Sequence, residues 1–444
     1  MNATADPDGH LTWFRHASPY IAAHRGRTFV LAFGGEAVAE AGFPSLIHDI
    51  ALLARLGIRL VVIHGARPQI DARLQQQGLA ASYHAGLRVT DSAALPLVCE
   101  ATGRVRQQIE AMLSAGLPNT PMAGAGIRVI GGNFITARPW GVHDGVDYQH
   151  TGVVRRVDVS GMSAALDRGD IILQSPLGVS STGEIFNLHA EEVATRTAIA
   201  LHADKLLFLM EHAGVRDEQG ALIRELDPSG AQQWLARDGG DDAEAARHLE
   251  SAIAAVRRGV RRTHLISRSD GALLAELFSR DGVGTLVTAE IYEGLRAARS
   301  DDVAGILELI EPLEADGSLV RRSREQIELE ADNFTVIERD GTIIGCAGLY
   351  PLPDGASAEI ACVAIHADYR NTGRGRRLLD WIESRARQQG LQRLFVLSTR
   401  TMHWFRERGY EPGDVADLPA ERQALYNWQR NSKVFVKELR MAAD

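Results

Sequence analysis

Short apolar runs alternate with helical patterns between residues 28 and 258, and this order limits the folds that the chain can adopt. Strands are predicted at residues 28–33, 59–63 and 205–210, and helical patterns such as 243–258 separate or follow them. Strands that are joined through helices pair in parallel, and the helices cover both faces of the sheet. The sequence therefore predicts an α/β fold here, an αβα sandwich with a largely parallel sheet.

The pattern changes near residue 288, and 444 residues are more than one hydrophobic core usually supports. We predict an N-terminal helical segment at 1–25, a first domain at 26–287, a linker at 288–295 and a smaller domain at 296–444. The polar and acidic stretch 217–242 is expected to be a surface excursion of the first domain.

The smaller domain has a different order of elements. Two helices come first, followed by a hairpin at 334–349, a strand at 359–365, a helix at 375–389 and a strand at 393–398. Because most of these strands are consecutive, we expect a mixed, mostly antiparallel sheet in an α+β domain.

The overall charge argues against one broad class of partner. The chain has 48 basic and 57 acidic residues and a net charge of -9, which does not suit a general nucleic-acid coat. The segment 370–408 is different, because it holds ten arginines against Asp380, Glu383 and Glu407, a local charge of +7. Such a basic segment in an acidic protein suits a compact polyanion.

The cysteines and the N-terminal residues suggest a reducing compartment. Cys99, Cys346 and Cys362 are far apart and lack the spacing of a metal site or of a disulfide framework. The chain starts without the basic flank and apolar core of a secretory signal, and no apolar run is long enough to span a bilayer. We expect a cytoplasmic protein without a metal.

The most specific motif is RNTGRG at 370–375, between an apolar strand and a helix. Its glycines let the backbone approach an anion, and the amides at a helix start can bind diphosphate. This strand–turn–helix resembles the coenzyme A loop of the GNAT acetyltransferase superfamily, and the order of elements up to HWFRERGY at 403–410 is similar too. The resemblance implies acetyl-CoA as co-substrate, bound by Cys362, Val363, Ile365, Arg370, Gly373, Arg374, Gly375 and Arg376.

Acetyl transfer to an amine needs a base, because an ammonium group has no lone pair with which to attack a thioester. Glu359 is the candidate, since it starts an otherwise apolar strand just before the loop. Strand alternation would place it on one face with residues 361, 363 and 365. Apolar surroundings disfavour a charged carboxylate and make it a stronger base.

The leaving thiolate needs a proton, and GNAT enzymes often supply it from a tyrosine. The matching position here is Phe405, so Ser398 at the end of the next strand, or a water that it holds, is the candidate acid. A backbone amide of Cys362 or Val363 would stabilise the oxyanion.

Two arginine-bearing segments, VRRSRE at 320–325 and YNWQRNSK at 426–433, could hold a dicarboxylate. Arginines that point into water are the alternative interpretation. Both segments resemble those of bacterial enzymes that acetylate L-glutamate at the first step of arginine biosynthesis. The resemblance implies that Arg322, Arg430 and Ser432 hold L-glutamate, with Ser398 supporting the base.

Five ordered segments within residues 26–287 resemble the amino acid kinase family: FGGEA at 33–37, HGARP at 64–68, GLRVTD at 86–91, FNLHAE at 186–191 and ADK at 203–205. Ala32 stands where these kinases have a lysine that offsets charge on the transferred phosphoryl group. Ala66 and Arg67 occupy a loop where phosphate oxygens need open amides. We therefore expect phosphoryl transfer to be absent or very weak.

A kinase fold without its chemistry suggests a sensor. In the enzymes resembled, this domain binds the end product L-arginine, and an N-terminal helix helps to assemble hexamers. The resemblance implies that Tyr20, Lys205, Glu276 and Gly282 bind arginine, with Glu276 as the partner of its guanidinium. It also implies a homo-oligomer, built through the helix that contains residues 13–23.

Two other functions remain open. Arg88 and Asn187 motivate a bifunctional enzyme that also phosphorylates N-acetylglutamate. Alternatively, the second domain could bind coenzyme A within a non-enzymatic amino-acid sensor. Turnover would depend on Glu359 in an enzyme and would not exist in a sensor.

Overall fold

The computed structural model describes residues 7–115, 126–238, 242–289, 293–339, 341–370 and 373–439, without the side chains of 7–10, 238 and 368. The chain forms two compact units that divide after residue 290, inside the predicted linker. No helix within these described ranges is long and apolar enough to cross a bilayer.

The first unit contains ten described helices and sixteen described strands. The helices are α1 (Pro7–His24), α2 (Gly35–Ala39), α3 (Phe43–Arg55), α4 (Arg67–Gln76), α5 (Ala94–Ala115), α6 (Val159–Asp167), α7 (Ala190–Ala200), α8 (Pro228–Asp238), α9 (Ala243–Val256) and α10 (Ala272–Phe278). The strands are β1 (Thr28–Phe33), β2 (Arg59–His64), β3 (Ser82–His84), β4 (Leu87–Val89), β5 (Val129–Ile130), β6 (Ile135–Pro139), β7 (Val142–His143), β8 (Val146–Asp147), β9 (Gly152–Val157), β10 (Ile171–Gln174), β11 (Leu177–Val179), β12 (Ile185–Asn187), β13 (Lys205–Met210), β14 (Glu225–Leu226), β15 (Arg262–Ser267) and β16 (Thr285–Val287).

An eight-stranded sheet forms the centre of this unit, in the order β14-β16-β15-β13-β1-β2-β10-β5. Its described pairs are parallel except for β15 with β16. Alternate residues of β1 enter different cores: Phe29 and Leu31 pack with α3 and α5, whereas Val30 packs with α6 and α7. A strand buried on both faces has to be apolar throughout, which is why the sequence predicted it. The αβα sandwich is confirmed.

The predicted surface excursion at 217–242 is wrong in part. It contains β14, which pairs with β16, and α8, whose Ala231 and Trp234 are buried against α9. The sequence pattern does not predict these elements, because Ala231 and Trp234 are surrounded by polar residues.

The second unit has a smaller sheet with helices on both faces. Its elements are β17 (Glu293–Ala297), α11 (Val303–Ala315), α12 (Arg324–Leu329), β18 (Phe334–Arg339), β19 (Thr342–Pro351), β20 (Ser357–Ile365), α13 (Arg374–Gln388), β21 (Arg393–Ser398), α14 (Met402–Arg406), β22 (Glu411–Gly413), α15 (Ala420–Ala424) and β23 (Lys433–Glu438). The strand order is β17-β18-β19-β20-β21-β23-β22, and β20 with β21 is the parallel pair among antiparallel neighbours. The mixed sheet is confirmed.

The predicted linker extends too far. Residues 293–295 belong to β17, which pairs with β18 from Glu293–Arg339 onward. A strand at the edge of a sheet can carry few apolar residues, so no apolar run predicts a strand there.

Candidate active site

The two central strands of the second sheet separate at one end. Parallel pairing of β20 with β21 ends at Ile360 and Val396, yet β20 continues to Ile365 and β21 to Ser398. Beyond these residues the two strands no longer pair, so this edge of β20 has no ladder partner from β21.

A β-bulge in β20 accompanies this separation. The register against β19 shifts by one residue, and Cys362 has a φ of +56°. Ala358 and Ile360 pack in the core with α13, whereas Cys362 and Ala364 pack in the core with α11. The extra residue therefore exchanges the sheet faces toward which even- and odd-numbered side chains point, and it bends the strand.

The bulge overturns the predicted surroundings of Glu359. Val363 and Ile365 pack on the α13 side, so Glu359 does not share their face. The Glu359 carboxylate is 13% exposed. Its Oε1 accepts a hydrogen bond from Nη2 of Arg422 at 3.2 Å, and its Oε2 accepts one from Nε of the same arginine. This hydrogen bonding raises the pKa of the Arg422 guanidinium. The expected apolar environment is wrong, because an arginine 63 residues away along the chain lies against the carboxylate.

Ser398 lies at the end of β21. Its Oγ accepts a hydrogen bond from the Thr401 amide at 3.0 Å and lies 2.8 Å from Thr401 Oγ1. Phe405 is buried, and Tyr410, the nearby tyrosine, donates its hydroxyl proton to Glu383 at 3.2 Å. The hydroxyl groups of Ser398 and Thr401 therefore form a hydrogen-bonded pair at the end of this strand.

In the predicted coenzyme A loop, Gly373 and the start of α13 have the expected backbone. Gly373 precedes α13 with a φ of +79°, a conformation that glycine adopts readily, and the amides of the first helical turn follow it. A Cβ at Gly375 would lie 3.2 Å from the Trp404 ring and 3.9 Å from Ile365. Trp404 is therefore part of the loop's surroundings, a role that the sequence did not reveal. Residues 371 and 372 lie outside the described residues.

The three arginines of the loop differ in their side-chain contacts. Arg376 is exposed, with its Nε 3.8 Å from Asp380. Arg370 is exposed as well, and its Nε donates to the carbonyl of Ile365 at 3.2 Å. Arg374 is largely buried and binds the Glu293 carboxylate. Two of the three predicted guanidinium ligands therefore lie at the surface of the loop.

The two basic segments meet at the turn between α11 and α12. Arg430 donates to the Ser318 carbonyl at 2.6 Å, and Arg400 donates to Asp316 at 2.9 Å. Arg400 follows Ser398 by two residues, so this turn contacts the end of β21 as well. Arg322, at the end of the same turn, lies close to Tyr350 and Cys362.

Arg322 connects this turn to β19, the strand that pairs with β20. Its guanidinium lies 5.9 Å from the centre of the Tyr350 ring, and Tyr350 is the register partner of Glu359. The Nε of Arg322 is buried and has no hydrogen-bond partner among the described residues. Ser432 is buried, and its carbonyl accepts the Tyr426 hydroxyl proton at 2.6 Å. An arginine whose Nε still lacks a partner can bind a carboxylate at this position.

In the first unit, the predicted arginine-binding residues surround one buried carboxylate. Oε2 of Glu276 accepts the amides of Val283 and Gly284 at 2.6 and 2.9 Å, and Oε1 lies 2.6 Å from His264 Nδ1. Lys205 Nζ lies 3.3 Å from the other ring nitrogen. Burial by itself raises the pKa of Glu276, but the bonds from His264 and the amides outweigh it and lower that pKa to about 2.

The protonation of this cluster follows from burial. Burial, and then the charge of Lys205, lower the pKa of His264. The imidazole is therefore neutral at pH 7, donating from Nδ1 to Glu276 and accepting from Lys205. A lone histidine on a strand gave no sign of this role in the sequence.

Gly282 lies next to the same carboxylate, and Tyr20 is linked to that region through His24. Gly282 has a φ of +60°, and a Cβ there would be 2.3 Å from Glu276 Oε2. The Tyr20 ring lies 6.4 Å from that of His24, which hydrogen-bonds to the carbonyl of Leu277, next to Glu276.

The glycine loops of the first unit differ from an open phosphate cradle. A Cβ at Gly34 would lie 2.1 Å from Glu36 Oε2, so this carboxylate lies over the loop. The loop lines a cavity of about 100 Å³ with Arg88 and Asn187. Arg88 is buried, and its Nη1 has no hydrogen-bond partner in the described part of the chain. A carboxylate at the loop opposes phosphate binding, whereas the buried guanidinium suits a carboxylate ligand.

Comparison with known families agrees with the fold of both units. Residues 27–267 match the amino acid kinase family, and residues 303–410 match the acetyltransferase (GNAT) family. Fold and site thus define a GNAT acetyltransferase that carries an amino acid kinase-like domain. The chain is 54% identical to the amino-acid acetyltransferase of Ectopseudomonas mendocina (strain ymp) and 55% identical to that of Azotobacter vinelandii (strain DJ / ATCC BAA-1303). Both alignments cover 97% of this chain and 99% of the relative. The chain belongs to the family of amino-acid acetyltransferases.

Solved structures agree with this assignment. N-acetylglutamate synthase from Neisseria gonorrhoeae, complexed with coenzyme A and L-arginine, is 38% identical and has a TM-score of 0.86. The same enzyme complexed with coenzyme A and N-acetyl-glutamate gives a TM-score of 0.62. Each match covers 97% of this chain and 99% of the solved chain.

Proposed function

We propose that the protein transfers the acetyl group of acetyl-CoA to the α-amine of L-glutamate, as an N-acetylglutamate synthase does, and that L-arginine inhibits it by feedback. The observation that carries this proposal is the arrangement around β20. Glu359 lies on β20, and the glycine loop at the start of α13 follows the same strand. The half-buried guanidinium of Arg322, whose Nε has no partner among the described residues, lies over Tyr350, the register partner of Glu359. A dicarboxylic amino acid and a diphosphate-bearing thioester fit such a site.

In this mechanism both substrates are bound before chemistry begins. Arg322 and Arg430 bind the acceptor's carboxylates, with Ser432 beside them, and Glu359 removes a proton from the ammonium group, directly or through water. The free amine then attacks the thioester carbonyl. An amide of the bulge at Cys362 or Val363 stabilises the oxyanion.

Collapse of the intermediate expels the coenzyme A thiolate, which takes a proton from Ser398 or from a water bound to it. The hydroxyl–hydroxyl contact with Thr401 can replace that proton. Arg422 keeps the Glu359 carboxylate in place before the reaction and has to share it with the substrate ammonium during proton transfer.

Regulation belongs to the first unit in this proposal. The ionised, almost fully buried Glu276 is a partner for the guanidinium of L-arginine, with Lys205, Tyr20 and Gly282 around it. Inhibition would be a coupling free energy of about 1 to 3 kcal/mol between the two sites. We further propose a cytoplasmic hexamer that assembles through α1, on which Leu11, Trp13 and Phe14 are each more than half exposed.

We infer that the kinase-like unit does not transfer phosphate. Ala32 cannot neutralise a phosphoryl group, and Glu36 adds a negative charge where phosphates would lie. An ATP-dependent acylphosphate assay with N-acetylglutamate tests this inference, and clear turnover would contradict it.

The main test is thiol release from acetyl-CoA with a panel of amino acids, with and without L-arginine. We expect selectivity for L-glutamate and a loss of rate in arginine. Glu359→Gln should lower turnover by about 10²- to 10⁴-fold while coenzyme A affinity is kept. Glu325→Gln, an exposed carboxylate on α12, is the matched control. Another preferred acceptor would overturn the substrate assignment, and full turnover in Glu359→Gln would remove this residue from the mechanism.

A further inference from the structure

We infer that Glu293 is a positioning residue for the coenzyme A loop, an inference that rests on the proposed function. Glu293 is the first residue of β17, and its side chain is 7% exposed. It lies outside the glycine motif and does not belong to the catalytic strand. Its carboxylate nevertheless binds the residue that starts the loop's helix.

Three guanidinium groups converge on this one carboxylate. Oε2 accepts Nε and Nη2 of Arg374 at 2.8 and 2.6 Å, and Nη1 of Arg339 at 3.3 Å. Oε1 accepts Nη1 of Arg377 at 3.2 Å. Arg339 and Arg374 both lie over the Tyr369 ring, at 5.9 and 5.0 Å from its centre. The carboxylate and the ring together fix the Arg374 side chain from two directions.

Arg374 is where this cluster acts on the loop. It is the first residue of α13 and directly follows Gly373, which has a φ of +79°. Because glycine has no Cβ, its backbone has little intrinsic preference for one conformation. Diphosphate binding at a helix start requires the first-turn amides to converge on one point. Because the Arg374 side chain is held by Glu293, the amide of the same residue is held as well. Glu293 thereby defines where the first turn begins.

The charge of Glu293 allows two roles to be distinguished: positioning of the loop, and an electrostatic effect on the binding of coenzyme A. Removal of the Glu293 carboxylate would leave the same three arginines with one negative charge fewer among them. If only electrostatic attraction mattered, Glu293→Gln would bind coenzyme A more tightly, most strongly at low salt. If Glu293 positions the loop, the same variant binds more weakly despite the added positive charge.

The experiment uses the full-length chain and measures coenzyme A binding by calorimetry, with KM for acetyl-CoA and for L-glutamate from thiol release. We expect Glu293→Gln to raise the Kd of coenzyme A and the KM of acetyl-CoA about tenfold, with the KM of L-glutamate changed less than twofold. Glu293→Asp should restore part of the affinity. Glu338→Gln is the matched control, because it breaks a carboxylate–Arg296 pair of 2.6 Å on the neighbouring strand.

Two outcomes would overturn the inference: unchanged or tighter coenzyme A binding in Glu293→Gln, or an equal loss in Glu338→Gln. A double variant with Arg374→Gln adds an independent check, since the two losses should not add if they act through one contact. Because binding needs no acceptor, failure of the proposed function is distinguishable. A wild-type protein that binds coenzyme A in a Glu293-dependent way but does not acetylate glutamate would refute only the substrate assignment.

Discussion

Replacement of Glu276 by glutamine would test the buried cluster of the first unit. The carboxylate accepts from three donors, His264 and the amides of Val283 and Gly284. A glutamine of the same shape keeps one acceptor oxygen, but its amide nitrogen would face at least one of these donors. Because the side chain is only 4% exposed, water cannot replace the lost acceptor.

The magnitude follows from the pKa of Glu276, which is about 2 in the folded protein against an ordinary 4.5. This difference corresponds to roughly 3 kcal/mol of stability at pH 7. The pKa is lowered on folding, so the contribution is complete above about pH 4.5 and is lost as the pH falls toward 2. Glu276→Gln should therefore lower the free energy of unfolding by about 3 kcal/mol at pH 7.

Urea denaturation of the full-length protein, followed by tryptophan fluorescence, would measure this loss, since Trp234 is buried in the same unit. Glu250→Gln, an exposed carboxylate on α9, is the control and should change stability by less than about 0.5 kcal/mol. A loss below about 1 kcal/mol for Glu276→Gln at pH 7 would refute the argument that the cluster stabilises an ionised carboxylate. Arginine binding, measured separately on the folded variant, should also weaken.

Three further predictions concern acid stability, the coenzyme A loop and the acceptor site. Burial lowers the pKa of His24 and of His64 to about 4 from an ordinary 6.5. The free energy of unfolding should therefore fall as the pH drops from 6.5 toward 4, by about 2 kcal/mol per histidine at pH 5. A constant melting temperature over this pH range would contradict this prediction. Gly373→Ala should cost about 1 kcal/mol of stability and raise the KM of acetyl-CoA, whereas Gly390→Ala, at the other end of α13 with a φ of +78°, should cost as much stability and leave KM unchanged. Arg430→Gln should raise the KM of L-glutamate at least about tenfold and leave that of acetyl-CoA unchanged, and equal changes in both would count against a substrate contact.

The fold was largely predictable because its signals are local. The strands Thr28–Phe33, Lys205–Met210 and Arg393–Ser398 begin and end at the predicted residues, since each is a compact apolar run between turn residues. The failures have local causes as well. The strand Glu293–Ala297 lies at a sheet edge and lacks an apolar run, and α8 holds two buried anchors among polar residues.

The site was predictable in its backbone and less so in its contacts. The glycine loop has the expected shape, because a left-handed residue before a helix is a property of a few neighbouring residues. The face of Glu359 was wrong, because strict alternation holds only in a strand without a bulge. The bulge itself depends on pairing with β19, which a single strand's sequence does not show.

By itself, the sequence of this amino-acid acetyltransferase determined its two-domain order, most of its main helices and strands and the left-handed glycine that precedes α13. Only the tertiary structure decided which charges meet: Arg422 on Glu359, His264 on Glu276 and Arg374 on Glu293, the last pair 81 residues apart. Helical and strand periodicity follow from the geometry of adjacent residues. Ion pairs between distant residues follow from packing, because any exposed acid and base have the same sequence signature until folding buries them together.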